Sequence, residues 1–376
     1  MKKFRTVLVV FLVFLVFVSV SGCLGGGEEE SPTTSESPTD AGSHTTSAGT
    51  GGTTGGGGYS TTESPGGTTT PETTTETETE TGTSEYASWA NPWDAYNPIQ
   101  IDGEQYLITS IKYKLRIRTE EGGPIYEYEI EKSRKPTKIH VYGNKIDMET
   151  GEQEKADLGE FEVYEYYGKI TPINAEDMNS TFEYRLWVTE RTSDTDTFFL
   201  FPSLDFLTLY ASLYSGAGNT VGVWMKYGDQ VFEFYNPAAV GEMSVAPYQE
   251  GDINMLSNIA DIESIYMSWY GFYNFGFWTA LEDENIYQET TGSWGVMGYQ
   301  YNYEVKPDGT MTIGGKDFKV SKVSWTYTFG GITGQGEAVL AANLPVPIEA
   351  KGVFIEQGGA NVFTHVKIED IVFEKV

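Results

Sequence analysis

The feature that most constrains the fold of this chain is a regular alternation of apolar and polar residues in its C-terminal part. Residues 111–118 alternate in this way, a turn follows at residues 121–124, and residues 125–130 alternate back. Because successive side chains of a strand point to opposite faces, a period of two predicts half-buried strands and a β-hairpin here. Comparable runs predict further strands at residues 139–142, 161–170, 181–190, 221–227, 231–235, 299–305, 318–329, 337–341, 348–356 and 362–373.

Turn residues lie between several of these runs. Gly228-Asp229 predicts a tight turn between the strands at residues 221–227 and 231–235. Pro307-Asp308-Gly309 predicts a second turn, because Pro presets φ and Gly accepts a positive φ. Short connections of this kind indicate antiparallel neighbours.

Two helices are predicted between the strands. Ser203 is a candidate N-cap for a helix over residues 204–214, and Asp252 is a candidate N-cap for a longer one. In the longer segment, apolar residues recur at spacings of three and four, and residues 267–278 are aromatic on nearly all sides. A helix that is apolar all round is usually buried. The expected fold is therefore mainly β (α+β), a long curved antiparallel sheet or half-barrel that wraps one or two apolar helices.

The segment from Leu24 to Glu85 has a different composition. Its 62 residues include 28 Ser or Thr and 11 acidic residues, but no Lys or Arg. Such a segment cannot bury enough apolar surface to offset its ordering entropy, so it is predicted to be a disordered stalk. Its Thr-Glu repeats are typical of O-glycosylated stalks. A spacer that raises a domain above a surface and a plain solvated linker are both compatible with this composition.

The N-terminus carries the signature of an exported, lipidated protein. Lys2, Lys3 and Arg5 precede an apolar run from Thr6 to Val20, which is shorter than the ~20 residues that span a membrane. The run ends in Val20-Ser21-Gly22-Cys23, which resembles the lipobox of prokaryotic, notably archaeal, lipoproteins. The resemblance implies cleavage before Cys23 and lipid on its thiol, and the alternative is an uncleaved membrane anchor. The predicted organisation is a signal peptide over residues 1–22, a lipidated stalk over residues 23–85, and a β-rich extracytoplasmic domain over residues 86–376.

A second resemblance lies in the C-terminal part. Residues 325–329, the Gly-rich segment 334–338 and the Leu-Pro-Val-Pro step within residues 344–351 are similar to the half-barrel of bacterial lipoprotein-localisation carriers. In that family the half-barrel holds acyl chains, so the resemblance implies an apolar cavity. The residues expected to line it are Tyr266, Trp269, Tyr270, Tyr273 and Trp278. The alternative is that these aromatic residues form an ordinary core.

The sequence contains no recognisable catalytic or metal-binding motif, and no cofactor is expected. It lacks a Gly-x-Ser-x-Gly motif, and neither His140 nor His365 lies in a metal-ligand spacing. The acidic groups Asp194-x-Asp196 and 282–284 have the oxygen ligands that Ca²⁺ prefers, but both lack the Gly and the terminal Glu of an EF-hand loop, so an acidic loop is the favoured interpretation. Asn179-Ser180-Thr181 is a candidate N-glycosylation site.

The charge of the predicted domain limits its partners. Residues 86–376 carry a net charge of −22, which disfavours binding to nucleic acid. The leading hypothesis is a non-enzymatic lipoprotein on the outer face of the membrane that binds an apolar or lipid-like ligand, such as a lipid or glycolipid. One alternative is a domain that binds or cleaves carbohydrate with exposed Trp and Tyr side chains. Another is a structural protein that contacts a surface layer or other envelope proteins.

Overall fold

The computed structural model describes residues 89–90, 96–118, 122–175, 178–200, 219–253, 281, 284–296, 298–329, 332–355 and 361–376. These residues belong to one compact unit that extends from Ser84 to Val376. The predicted helix over residues 204–214 lies outside the described residues, and so does the longer predicted helix after its first residue, Ile253. Within the described part of the chain, no helix is long and apolar enough to cross a membrane.

Fourteen strands make up most of the described chain, and they form one sheet. In chain order they are β1 (Ile99–Ile101), β2 (Glu104–Arg118), β3 (Tyr126–Ile146), β4 (Gln153–Asn174), β5 (Phe182–Val188), β6 (Thr220–Tyr227), β7 (Gln230–Tyr235), β8 (Ala246–Glu250), β9 (Thr290–Val296), β10 (Tyr299–Ile313), β11 (Lys316–Phe329), β12 (Ile332–Leu340), β13 (Glu349–Ile355) and β14 (Asn361–Lys375). Each alternating run of the sequence overlaps one of these strands, so the prediction of a mainly β fold with a large antiparallel sheet is confirmed.

The predicted hairpins are found with the expected register. Ile117 of β2 pairs with Tyr126 of β3 across the first turn, and Tyr227 of β6 pairs with Gln230 of β7 across the second. All of the pairings are antiparallel, in the order β4-β5-β6-β7-β8-β3-β2-β14-β13-β12-β11-β10-β9. β1 is an additional short strand that pairs with β2.

One end of this sheet closes on itself. β3 pairs with β4 over nearly its whole length, and its far end also pairs with β8 through Gly143 and Asn144. Strands β3 to β8 therefore form a closed ring. At the other end of the sheet β9 pairs only with β10 among the described residues.

The prediction of a turn at Pro307-Asp308-Gly309 is wrong. These residues lie within β10, where the register with β11 shifts between Pro307 and Thr310. Gly309 has a φ of +83°, so the bulge accommodates both the missing N–H of Pro and the positive φ of Gly without ending the strand. The chain reverses instead at Gly314 and Gly315, which both have positive φ, as a two-residue hairpin turn requires.

The buried core lies against one face of the sheet. It contains aliphatic residues and a large share of Tyr and Trp, including Tyr113, Tyr128, Tyr301, Trp325 and Tyr327. A smaller second cluster forms among strands of the ring, where Trp187 stacks on Tyr235 with ring centroids 5.8 Å apart. Burial of this apolar surface is the main term that stabilises the sheet.

A short helix that the sequence analysis did not predict, α1 (Ser193–Leu200), packs on this core through Phe199 and Leu200. Thr192 and Thr195 cap its first turn reciprocally. The Thr195 N–H donates to Thr192 Oγ1 at 3.2 Å, and the Thr192 N–H donates to Thr195 Oγ1 at 3.1 Å. This arrangement is a capping box with Thr in place of Glu.

Candidate functional site

A groove of about 620 Å³ crosses the solvent-facing side of five strands, β10 to β14. Two rows of paired residues line it. The first row runs through Asn302, Thr326, Gln335, Val353 and Phe363, each opposite the next on the neighbouring strand. The second row is Glu304, Ser324, Glu337 and Lys351. Since adjacent strands lie about 4.8 Å apart, the first row extends over about 19 Å.

The alternation of the strands explains why these side chains face solvent. Tyr303 and Trp325, which lie between the two rows, point into the core and are 8% and 4% exposed. Their aromatic rings anchor β10 and β11, so their neighbours in sequence must point to the opposite face. The core side thus fixes the orientation of the groove residues.

Two glycines lie opposite one another beneath the groove. Gly336 of β12 pairs with Gly352 of β13, and both contribute to the groove lining. A Cβ atom on Gly336 would lie 2.4 Å from Trp325 Cζ2 and 2.3 Å from the Lys351 carbonyl oxygen. The indole ring therefore occupies the space on the core side that a larger residue at position 336 would fill.

The carboxylates of the groove are neutralised by lysines. Lys351 Nζ lies 2.9 Å from Glu337 Oε2 and Lys322 Nζ lies 3.2 Å from the same oxygen. Hydrogen bonds from these two lysines hold the pKa of Glu337 below its ordinary value. Glu304 Oε1 pairs with Lys306 Nζ at 2.6 Å, and this hydrogen bond raises the pKa of Lys306. Glu337 therefore stays ionised at neutral pH, and both carboxylates are paired with lysines.

The first row supplies uncharged hydrogen-bonding groups. Asn302, Thr326 and Gln335 are exposed, and Asn302 Nδ2 donates to Thr326 Oγ1 over a long 3.5 Å. Within the described part of the chain, Gln335 has no side-chain hydrogen bond. These amide and hydroxyl groups retain donors and acceptors for a ligand.

An aromatic side chain lies at the β14 end of the groove. Phe363 is half-buried, and the Arg118 guanidinium lies over its ring, 5.7 Å from the centroid. Val353, paired opposite Phe363, extends the apolar wall. The groove thus combines an apolar end with polar groups along its length.

The residues that the sequence predicted as a ligand site lie elsewhere in the chain. Tyr266, Trp269, Tyr270, Tyr273 and Trp278 are outside the described residues, and so is Cys23. Asn179 is exposed, and its Oδ1 accepts a hydrogen bond from the Tyr227 hydroxyl at 3.1 Å. Glycosylation of Asn179 stays a prediction.

In each acidic group considered for Ca²⁺, the carboxylate whose side chain the structure describes is engaged by the protein itself. Asp196 of α1 is fully buried and ion-paired with Arg134 and Arg191, and the Tyr166 hydroxyl donates to its Oδ1 at 2.7 Å. Glu284 Oε1 accepts a hydrogen bond from the Tyr303 hydroxyl at 2.6 Å. Among the described residues, no group of three or more His, Cys, Asp or Glu side chains is arranged to hold a metal ion.

The buried ion pair is the strongest electrostatic feature of the core. Arg134 is 2% exposed, donates from Nε to the Ile108 carbonyl at 2.7 Å, and stacks on the Phe199 ring at 4.7 Å. Burial, and then the charge of Asp196, raise the pKa of Tyr166 well above its ordinary value. This cluster is enclosed by protein and its polar groups bind one another, so it fixes α1 on the sheet.

None of the groove residues was predicted as a site from the sequence. They come from five strands, and each is an ordinary surface residue in its own segment. The signal that could have found them is the outward half of the alternation, but it identifies a row only when the register of all five strands is known.

Comparisons with known proteins add little to this geometry. No protein-family model matches the chain, and no curated protein matches it. Among solved structures, a β-barrel-like protein of domain of unknown function DUF1849 from Brucella abortus is similar over 72% of this chain and 98% of its own. The sequence identity is 7% and the TM-score is 0.18, and a likeness at that level carries no argument about fold or function.

Proposed function

We propose that this chain is a membrane-anchored lipoprotein that holds a ligand-binding β domain at the cell surface and does not convert its ligand. The observation that carries the proposal is the groove on β10 to β14, in which both carboxylates are paired with lysines. A site of this kind offers hydrogen bonds and an apolar wall. It offers no group prepared for proton transfer.

The position of the two carboxylates distinguishes a site that binds a ligand from one that cleaves it. Glu304 and Glu337 are separated by one strand, which corresponds to about 10 Å between their Cα atoms. Two carboxyl groups at a comparable distance can hydrolyse glycosides, but one of them must be a general acid with a raised pKa. The pKa of Glu337 is lowered, and the Lys306 ammonium pairs with Glu304. The arrangement therefore supports binding and not cleavage.

The anchor is supported by the sequence alone. A positive N-terminus, a short apolar run and the Val-Ser-Gly-Cys ending together imply that Cys23 carries lipid. The stalk over residues 24–85 would then separate the domain from the membrane. Full-length protein should partition into the membrane fraction, and the Cys23→Ser variant should not. Complete membrane retention of the variant would contradict lipid anchoring through this residue.

An apolar or lipid-like ligand is the occupant that the sequence predicts, bound by the aromatic residues between Tyr266 and Trp278. The groove is built from described residues of β10 to β14. A structural role at a surface layer would need neither ligand.

The experiment that tests the proposed function is ligand capture by the full-length protein in detergent. Lipid and glycan fractions of the cell envelope are added separately, and the retained molecules are identified by native mass spectrometry. We expect a molecule to be retained with unchanged mass and to be lost in the Gln335→Ala/Phe363→Leu variant. A chemically altered product, or no retained molecule in either fraction, would overturn the proposal.

A further inference from the structure

We infer that the groove on β10 to β14 takes a neutral oligosaccharide that lies across the five strands. The inference rests on the proposed function and names the chemical class of its ligand. It is carried by three properties of the groove: paired charges, unused amide and hydroxyl groups, and an aromatic side chain at one end.

The paired charges disfavour a charged ligand. Glu337 is shared by Lys322 and Lys351, and Glu304 is bound by Lys306. A charged ligand that bound Glu304, Glu337 or their lysines would have to break one of these pairs and would leave the former partner unsatisfied. A neutral ligand leaves every pair intact.

The hydrogen-bonding groups suit a ligand with many hydroxyls. Amides both donate and accept, and hydroxyls do the same. Asn302, Ser324, Thr326 and Gln335 present such groups along neighbouring strands. A sugar ring carries donors and acceptors around its rim in the same way. An acyl chain would leave these groups without partners, which costs free energy once water is excluded.

The β14 end of the groove provides the apolar surface that a sugar ring also needs. The axial C–H groups of a pyranose form an apolar face, which packs against aromatic rings and against aliphatic side chains. Phe363 and Val353 provide such a surface beside Gln335. The row of about 19 Å is long enough for several linked rings, with one ring beside Phe363 and Val353 and the following rings against Thr326 and Asn302.

Binding of purified oligosaccharides to the full-length protein in detergent tests the inference. The probes are neutral hexasaccharides of glucose, mannose and N-acetylglucosamine, neutral glycans released from the envelope of the source cells, and a sulfated hexasaccharide as the anionic comparison. We expect at least one neutral glycan to bind, as measured by isothermal titration calorimetry, and the sulfated glycan not to bind.

Matched variants locate the site. Gln335→Ala and Phe363→Leu should each weaken binding of that glycan by about threefold to tenfold, because each removes one hydrogen bond or one aromatic contact. Gln249→Ala provides the control, since Gln249 is exposed on β8 and lies outside the groove. The control should bind like the wild-type protein, and the unfolding midpoints of all three variants should stay close to that of the wild type.

The outcomes separate this inference from the proposed function. Failure of every neutral glycan to bind overturns the inference, and so does binding that Gln335→Ala and Phe363→Leu leave unchanged. Capture of a lipid or peptide that these variants abolish would contradict the oligosaccharide while the groove remained a binding site. If no ligand of any class depends on groove residues, both proposals fail.

Discussion

The strands and the segments that connect them differ in charge. Within residues 86–376, the strands carry 20 of the 21 Lys and Arg residues and 20 of the 43 Asp and Glu residues. The residues outside the described strands, here called the connections, carry the other 23 acidic residues and a single basic one, Arg191. The whole net charge of −22 therefore resides in the connections, and the sheet is electrically balanced.

Cross-strand geometry explains the balance. Side chains that lie opposite one another on neighbouring strands are close enough for like charges to be destabilising. The outward face of the sheet accordingly shows opposite charges in contact, such as Lys112 with Glu129 at 2.8 Å and Arg116 with Glu127 at 2.8 Å. A connecting segment has no fixed neighbour of this kind, so its charge can serve solubility.

A charge of a connection and a charge of a strand form an ion pair at one buried site. Asp196 of α1 belongs to a connection, and it binds both Arg191, the only basic residue of the connections, and Arg134 of β3. Among the described residues, Asp196 is the one charged residue of a connection that is buried in the core. This site is also where removal of a single charge should have the largest effect.

Among the substitutions that compare charges of strands and connections, Arg134→Met should change the stability most. The substitution removes a buried partner of Asp196 and the hydrogen bond to the Ile108 carbonyl. We expect the free energy of unfolding to fall by about 3 kcal/mol, because the buried Ile108 carbonyl and Asp196 Oδ1 each lose a charged donor, while Arg191 keeps the Asp196 carboxylate paired. Urea unfolding followed by circular dichroism measures the change.

Lys138→Met is the matched control on the same strand. Lys138 is more than half exposed and pairs with Glu160 at 3.4 Å. Loss of a solvent-exposed pair should change the unfolding free energy by about 1 kcal/mol or less. Similar losses for the two variants would show that burial does not set the value of a strand charge here.

Glycines in strands and in connections should also respond differently. In β12, Gly336→Ala places a methyl group against the Trp325 ring and the Lys351 carbonyl, so we expect a loss of about 1–3 kcal/mol from overpacking. Gly151, in the turn between β3 and β4, has a φ of +72° and no atom near its absent Cβ. Gly151→Ala should cost about 1–2 kcal/mol through backbone strain alone.

Asparagine distinguishes the two causes. Gly151→Asn should recover part of the loss, since Asn tolerates a left-handed conformation, whereas Gly336→Asn should be at least as destabilising as Gly336→Ala. Thermal unfolding of the four variants measures the difference. An Asn substitution that rescues position 336 would show that the backbone, and not the Trp325 ring, requires glycine there.

The local part of the fold could be predicted from the sequence, and the long-range part could not. The hairpin between β2 and β3 follows from the alternation on both sides of residues 121–124, which is a local pattern. Closure of the ring rests on pairing of Gly143 and Asn144 with Pro247 and Ala246. Residues about a hundred positions apart leave no periodic signal of their pairing. The bulge at Pro307 was predicted as a turn because both features use the same residue types.

The candidate site was beyond reach for the same reason. Asn302, Gln335 and Phe363 lie in one row only because four successive strand registers align them. A shift of one residue in any of these registers would turn a side chain into the core. The capping of α1 is different. Thr192 and Thr195 have the spacing of a capping box, so this helix could have been found from local sequence.

The smallest test compares two carboxylates, Glu337 on a strand and Glu149 on a connection. Glu337→Gln weakens the contacts with Lys322 and Lys351, and the loss at neutral pH should be about 1 kcal/mol or less, because the group is more than one third exposed. Glu149 is exposed in an acidic segment, so Glu149→Gln should leave stability unchanged or raise it by a few tenths of a kcal/mol.

The pH dependence of the unfolding free energy distinguishes the roles of Glu337 and Glu149 most clearly. The folded-state pKa of Glu337 is lowered from 4.5 by its two lysines, so its contribution is fully present above about pH 4.5. It is lost as the pH falls through the folded-state pKa, because the protonated carboxyl no longer attracts the lysines. Unfolding curves measured from pH 7 down to pH 3 should therefore converge for wild type and Glu337→Gln on the acid side. If wild type and Glu337→Gln still differ in stability at the lowest pH, Glu337 acts through packing. If Glu149→Gln loses as much stability as Glu337→Gln, strand and connection charges do not differ in their effect on stability.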